Sequence, residues 1–294
     1  MRPFTLSTAL FAVGTLAQKS AADVECADGL YMIAARGTGE DKGTGVIGKI
    51  AENVAKRVKG SVVEPLDYPA SWQDPNYEDS EAAGVKALTT AVNDYHSSCP
   101  DGKIAVFGYS QGGQVASDTF CGGSGGDFPT NKPLSTDLVQ DSVVAIIIFG
   151  DPSHVANISY DQGNSINDGI FERNNTKLCE DSYSKIIRSY CDTGDVYCDG
   201  GNNTETHAGY FSKYGKEVAD FVVKQYESAA TESKTTASST ATAATGTAAT
   251  ETTASATGAA ETTPAVAPGN AAAGLVPGLA LAMVPLVLVM SQLL

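Results

Sequence analysis

Residues 103–121, KIAVFGYSQGGQVASDTFC, pass from an apolar strand pattern to a helical pattern across one serine, Ser110, with Gly108 and Gly112 two places to either side. A strand that becomes a helix without an intervening loop presses backbone against backbone, and glycines fit there because they carry no Cβ. The junction belongs to a parallel α/β architecture, in which each strand feeds a helix packed back on the sheet.

The neighbouring chain repeats that step. GLYMIAA (29–35) and SVVEPLDY (61–68) read as strands, and VIGKIAENVAKRV (46–58) between them has helical spacing. A long amphipathic helix over 80–99 precedes the strand at 103–110, and SVVAIIIFGDP (142–152) is apolar enough for a strand covered on both faces. YSKIIRSYC (183–191) is the expected last strand, and 207–226 the closing helix. No internal repeat is visible.

Both ends of the 294-residue chain stand outside this pattern. Residues 1–17 carry Arg2 near the start, continue as an apolar run too short to span a bilayer and stop at small residues, the layout of a secretory signal peptide. Residues 228–270 are almost wholly Thr, Ala, Ser and Gly, with too little bulky apolar surface to offset the entropy of ordering them. They read as a disordered Ser/Thr-rich stalk, a setting for O-glycans. Residues 271–294 are a greasy tail interrupted by Pro277, Gly278 and Pro285, with no Lys or Arg after Lys234 to hold a cytoplasmic end. A transmembrane helix is the alternative to a glycolipid (GPI) anchor signal, and the small residues ahead of the tail favour the anchor, attached at Asn270 or Gly258. What remains, 18–227, has the size of one domain.

All six cysteines, Cys26, Cys99, Cys121, Cys179, Cys191 and Cys198, fall in that domain. An even number in a secreted chain implies three disulfides, and no CxxC pair offers the zinc alternative. Sequons at Asn157, Asn174 and Asn202 agree with passage through the secretory pathway. The formal charge of -15 argues against a nucleic-acid partner held through phosphates.

GYSQG has the form GxSxG, which holds a serine hydroxyl out at the carboxyl end of a sheet. A serine hydroxyl attacks a carbonyl only when a base takes its proton, and the base needs a third group to fix its tautomer. Three histidines are available. His96 precedes the elbow in a helix, His154 follows a strand within three residues of Asp151, and His207 lies well downstream at the start of the closing helix. Asp195 stands between Cys191 and Cys198, just past the last strand, with Asp192 as the competing acid. The order Ser110, Asp195, His207 is that of an α/β-hydrolase triad. The tetrahedral oxyanion needs two donors: the N–H of Gln111, next after the serine, and one from ARGTGED (35–41), for which Thr38 is the choice.

ARGTGE, GYSQGG, FGDP and YCDTGDVYC followed by a histidine, in that order over the folded region, resemble the cutinase and acetylxylan esterase family of fungal serine esterases. The resemblance implies a lidless α/β hydrolase, three layers α/β/α about a five-stranded parallel sheet, with no metal or organic cofactor. It implies Ser110 as nucleophile, Asp195 as acid, His207 as base and Thr38 with Gln111 as the oxyanion hole. It also implies the pairings Cys26 with Cys99, Cys121 with Cys179 and Cys191 with Cys198. A monomer acting on a polysaccharide or polyester is expected, with membrane contact only through the anchor.

Within such a family the rim of the site separates substrates. A polyester-cleaving enzyme is expected to carry a bulky apolar loop between acid and histidine, whereas VYCDGGNNTET (196–206) is polar apart from Val196 and Tyr197. That favours an acetylxylan esterase, although ARGTGE is closer to the cutinase form of the first loop. A cutinase or short-chain lipid esterase is the nearer alternative, and a non-catalytic cell-wall glycoprotein the more distant one.

Overall fold

The computed structural model describes residues 24–243 apart from 124, 126 and 127. The expected signal peptide and both anchor candidates, Gly258 and Asn270, lie outside the described residues. Six strands, β1 (Leu30–Ala35), β2 (Val62–Pro65), β3 (Lys103–Tyr109), β4 (Val143–Phe149), β5 (Asp161–Gly163) and β6 (Ile187–Cys191), form one parallel sheet in the order β2-β1-β3-β4-β6-β5.

The two-residue period of the strands divides the apolar side chains between two cores. Ile33, Ile104, Val106, Ile146 and Ile148 face one layer, and Leu30, Met32, Phe107, Ile147 and Phe149 face the other. Helix α2 (Tyr77–Ser98) covers the first face with Leu88 and Val92, beside α3 (Gln111–Cys121) with Val115 and Phe120. Helices α1 (Gly48–Arg57) and α7 (Tyr210–Ala243) cover the second face with Ile50, Val54, Val218 and Val222. All seven residues of β4 are buried, as its uninterrupted apolar run requires. Three short helices complete the fold: α4 (Thr136–Ser142), α5 (Lys177–Tyr183) and α6 (Thr204–Ala208).

The chain leaves β1 towards β2 on one side and returns to place β3 on the other. In open parallel sheets such a reversal opens a crevice at the carboxyl ends of the two strands. Here those ends lead into the 36–47 loop and into Ser110.

Four boundaries differ from the sequence reading. The sheet has six strands rather than five, because β5 is only three residues long, half-exposed and polar, and shows no apolar run. The expected strand over 183–191 is confined to 187–191, since 177–183 forms α5, whose Cys179 and Tyr183 are buried in the first core. The closing helix begins at Tyr210, so His207 sits in α6, a separate turn capped by Asn203. Finally, α7 runs to Ala243, into the segment read as a disordered stalk from residue 228.

Three disulfides join Cys26 to Cys99, Cys121 to Cys179 and Cys191 to Cys198. The first two close separations of 73 and 58 residues, which on loop entropy restricts the unfolded chain by about 4 kcal/mol each. The third spans 7 residues and serves local geometry.

A buried polar cluster fastens α2 and α3 to the loops after β4. Arg173 pairs with Asp118 and donates to the Gly122 carbonyl (3.0 Å), and Ser117 and Ser153 both donate to Asp151. Glu81 on α2 hydrogen-bonds Asp118, and burial, followed by the charge of Asp118, pushes its carboxyl up to about 9. Glu81 therefore keeps its proton in the folded protein at neutral pH and loses it in the unfolded chain. A carboxyl raised in this way favours folding most below about pH 4.5, and stability falls as pH rises towards 9. Glu81→Gln preserves the shape and a donor to Asp118 while removing the titration. Chemical denaturation of both proteins should show the variant gaining on the wild type by about 1.4 kcal/mol per pH unit between pH 5 and 8. Parallel stability curves over that range would rule out a buried, protonated Glu81.

Candidate active site

Ser110 caps α3 with φ 54° and ψ -120°, a backbone geometry that costs a non-glycine residue about 1–3 kcal/mol. The surrounding contacts hold it there. Its N–H donates to the Phe149 carbonyl of β4 (2.8 Å), and its own carbonyl accepts from the N–H groups of Gly113 (2.8 Å) and Gln114 (3.1 Å). A Cβ on Gly112 would lie 2.1 Å from the Ala35 carbonyl oxygen, and one on Gly108 would lie 2.3 Å from that of Gly112. Neither backbone can retreat, which explains the two glycines about the serine.

The Ser110 hydroxyl meets His207 Nε2 at 3.0 Å, and His207 Nδ1 meets Asp195 at 2.9 Å (Oδ2) and 3.1 Å (Oδ1). Asp195 is fully buried. Its Oδ1 accepts from the N–H groups of Tyr197 (2.8 Å) and Cys198 (3.1 Å), and its Oδ2 from the Tyr210 hydroxyl (2.6 Å). Burial alone would raise this carboxyl. The bonds from His207, Tyr210 and the Tyr197 N–H outweigh it and hold the group below the usual carboxylate range. With Asp195 ionised and accepting at Nδ1–H, the imidazole presents an unprotonated Nε2 to the serine.

The imidazole is enclosed by aromatic rings. Tyr109 lies at 5.0 Å and 30°, Tyr197 at 4.6 Å and 68°. On another side, Gly150 (φ +60°) comes so close that a Cβ there would fall 2.7 Å from His207 Cε1 and 2.8 Å from Nδ1. That contact accounts for the glycine of FGDP. The acid loop is braced by Asp199, which accepts from the Gly194 N–H (2.7 Å) and from Ser165 and Asn167 of the loop after β5.

Thr38 and Gln111 follow the ends of two neighbouring strands, β1 and β3. Gln111 opens α3, so its N–H has no intrahelical acceptor. In the Thr38 loop the N–H of Gly37 goes to Glu40 Oε2 (2.6 Å), that of Gly39 to the Ala70 carbonyl (2.8 Å) and that of Glu40 to the Gly37 carbonyl (3.3 Å). Buried Arg36 holds the loop in place through the carbonyls of Glu40, Leu66, Tyr68 and Pro69. Thr38 itself is half-buried.

Other candidates lie elsewhere. Asp192 accepts from Lys213 Nζ (2.8 Å) and the Tyr214 hydroxyl (2.7 Å), facing α7 instead of His207. His96 Nδ1 contacts the Ser142 hydroxyl (2.7 Å). His154 is buried 3.7 Å from Asp161, and burial lowers its imidazole. Asn157, Asn174 and Asn202 are all exposed. No group of His, Cys, Asp and Glu able to hold a metal occurs among the described residues. Sequence reasoning missed Tyr210, one of twelve tyrosines and without a motif of its own, and the packing of Gly150 on the imidazole.

The sequence model described as Cutinase matches residues 26–226. Acetylxylan esterase 2 of Talaromyces purpureogenus is 36% identical over 201 residues, covering 66% of this chain and 85% of that protein. Cutinase 11 of Verticillium dahliae is 33% identical over 210 residues, covering 69% and 70%. Among solved structures, an acetylxylan esterase superposes with a TM-score of 0.63 at 33% identity, covering 69% of this chain and all of that one.

Tyr210 shares its acceptor oxygen with His207. Tyr210→Phe removes a donor to a charged group, a bond of about 1.5–3 kcal/mol. The carboxylate that orients the imidazole then loses one of its restraints. Ester hydrolysis should fall roughly tenfold in kcat with KM for p-nitrophenyl acetate little changed; an unaltered kcat in the folded variant contradicts a positioning role for Tyr210.

Proposed function

The chain belongs to the cutinase family of carboxylic ester hydrolases, and from that premise we propose a secreted serine esterase that removes acetyl groups from xylan. The observation that carries the reading is the hydrogen-bonded row Ser110 Oγ, His207 Nε2, His207 Nδ1, Asp195 Oδ2. His207 takes the serine proton as Oγ attacks the ester carbonyl, and the N–H groups of Gln111 and Thr38 receive the oxyanion. Protonated His207 then gives its proton to the departing alcohol. Water, deprotonated by the same imidazole, hydrolyses the acyl enzyme, releases acetate and restores Ser110.

The xylan assignment draws on the rim. Between Asp195 and His207 the exposed side chains Asn202, Asn203, Thr204 and Glu205 are polar, which suits a hydrated polysaccharide better than a waxy surface. Two relatives named as acetylxylan esterases, from Talaromyces purpureogenus and Hypocrea jecorina, support the same choice. The second reading, cleavage of cutin or short-chain lipid esters, is favoured by Ile166 and Ile170. They are 72% and 45% exposed on the loop that Asp199 and Tyr197 tie to the acid.

The enzyme leaves the cell through its signal peptide, carries N-glycans among Asn157, Asn174 and Asn202, and is tethered by a stalk and a GPI anchor at Asn270 or Gly258. The three disulfides suit an oxidising compartment.

Two outcomes are expected. The wild type should hydrolyse p-nitrophenyl acetate faster than the octanoate and release acetate from acetylated xylan, while Ser110→Ala should lose at least about 1000-fold in kcat. Near-normal turnover by that variant removes Ser110 from the mechanism, and a preference for octanoate transfers the assignment to the second reading. Phosphatidylinositol-specific phospholipase C should release the protein from membranes of expressing cells. Protein that stays bound after the treatment excludes a cleavable GPI anchor.

A further inference from the structure

Trp72 is the single tryptophan of the chain and is 44% exposed. Its position is set by two hydrogen bonds of the residues before it. The Ala70 carbonyl accepts from the N–H of Gly39, next to Thr38 (2.8 Å), and the Ser71 carbonyl accepts from Gln111 Nε2 (3.0 Å). One bond ties the 70–72 segment to Gly39, the neighbour of Thr38, and the other to the side chain of Gln111. With successive Cα atoms about 3.8 Å apart, Trp72 follows directly on a residue bonded to Gln111, the residue after the serine.

The ring is also held. It packs edge-on against Tyr77 at 5.6 Å and 69°, and Tyr77 is fixed by Phe128, by Phe171 and by its hydroxyl, which donates to Gln114 Oε1 (3.0 Å). A side chain restrained in this way loses little entropy when a ligand covers its free surface. Around it the chain is polar: Gln73, Asp74 and Asn76 are exposed, and the Ser71 hydroxyl accepts from the N–H groups of Gln73 and Asp74.

One exposed aromatic face within a polar surround fits a pyranose ring, which is apolar across its C–H face and carries hydroxyls at its edge. A long acyl chain calls for a continuous apolar surface instead. An acetyl group, moreover, is too small to supply much affinity, so contacts that select a polymer have to fall on sugar units beyond the ester. We infer that Trp72 is a stacking platform for a sugar ring of the polysaccharide, a specificity-determining residue next in the chain to the Ser71 that is bonded to Gln111. The inference rests on the xylan reading above.

Because no other tryptophan is present, indole emission reports on this ring alone. Titrating the wild type with unacetylated xylo-oligosaccharides should give a saturable change in that emission. In Trp72→Ala, the ratio of kcat/KM for acetylated xylan to that for p-nitrophenyl acetate should fall about three- to tenfold, and Trp72→Tyr should recover most of it. Emission untouched by the oligosaccharides, or moved only by a long-chain ester analogue, overturns the platform; so does an unchanged ratio in the alanine variant. Hydrolysis of p-nitrophenyl acetate by the wild type is read separately. Its absence defeats the esterase reading, whereas its presence with silent emission defeats only the role of Trp72. If the wild type cleaves the acetate ester but not acetylated xylan, the emission titration alone decides the platform.

Discussion

The contact of Gly112 with the Ala35 carbonyl is the constraint on which the site depends. It brings the start of α3 against the end of β1, and it can form only because Gly112 has no side chain. Ser110 is thereby held at φ 54° between two strands, bonded through its N–H to β4. The loop after β1 and the first N–H of α3 become neighbours as a consequence. A proposed nucleophile and two proposed oxyanion donors thus come from one packing event in the middle of the sheet.

The imidazole and carboxylate arrive by a different route. They stand on loops at the β6 side, where backbone restraint is weaker and side-chain bonds take over. Cys191–Cys198 closes the acid loop, Asp199 ties it to the loop after β5, and Tyr210 reaches Asp195 from the first residue of α7. Gly150 limits how far the imidazole can settle. Four donors on one buried carboxylate are needed to keep it ionised against the cost of burial. A site of this kind is rigid by accumulation, since no single bond in it is large on the scale of total stability.

The substrate question turns on surfaces that the strand pattern does not control. The polar stretch before His207, the isoleucines at 166 and 170 and the indole at 72 belong to three separate loops gathered at the carboxyl ends of the strands. Polar and apolar rim elements coexist there.

Local pattern made several features legible without coordinates. The strand-to-helix junction at Ser110, the doubly covered run at β4, the even cysteine count and the chain order of serine, aspartate and histidine all arise from interactions short in sequence or from composition. What only the tertiary structure decided depends on partners far apart in the chain. Asp195 and Asp192 are indistinguishable by pattern, and they separate because Lys213 and Tyr214 on α7 occupy one while His207 and Tyr210 take the other. The three-residue β5 pairs with β6 through backbone alone, so no side-chain pattern announces it. Tyr210 and Trp72 acquire meaning in the same way, one by reaching a carboxylate fifteen residues away and the other because Ser71 is bonded to Gln111 forty residues on. Periodicity encodes which face a residue presents; which distant group meets that face is settled only when the chain closes on itself.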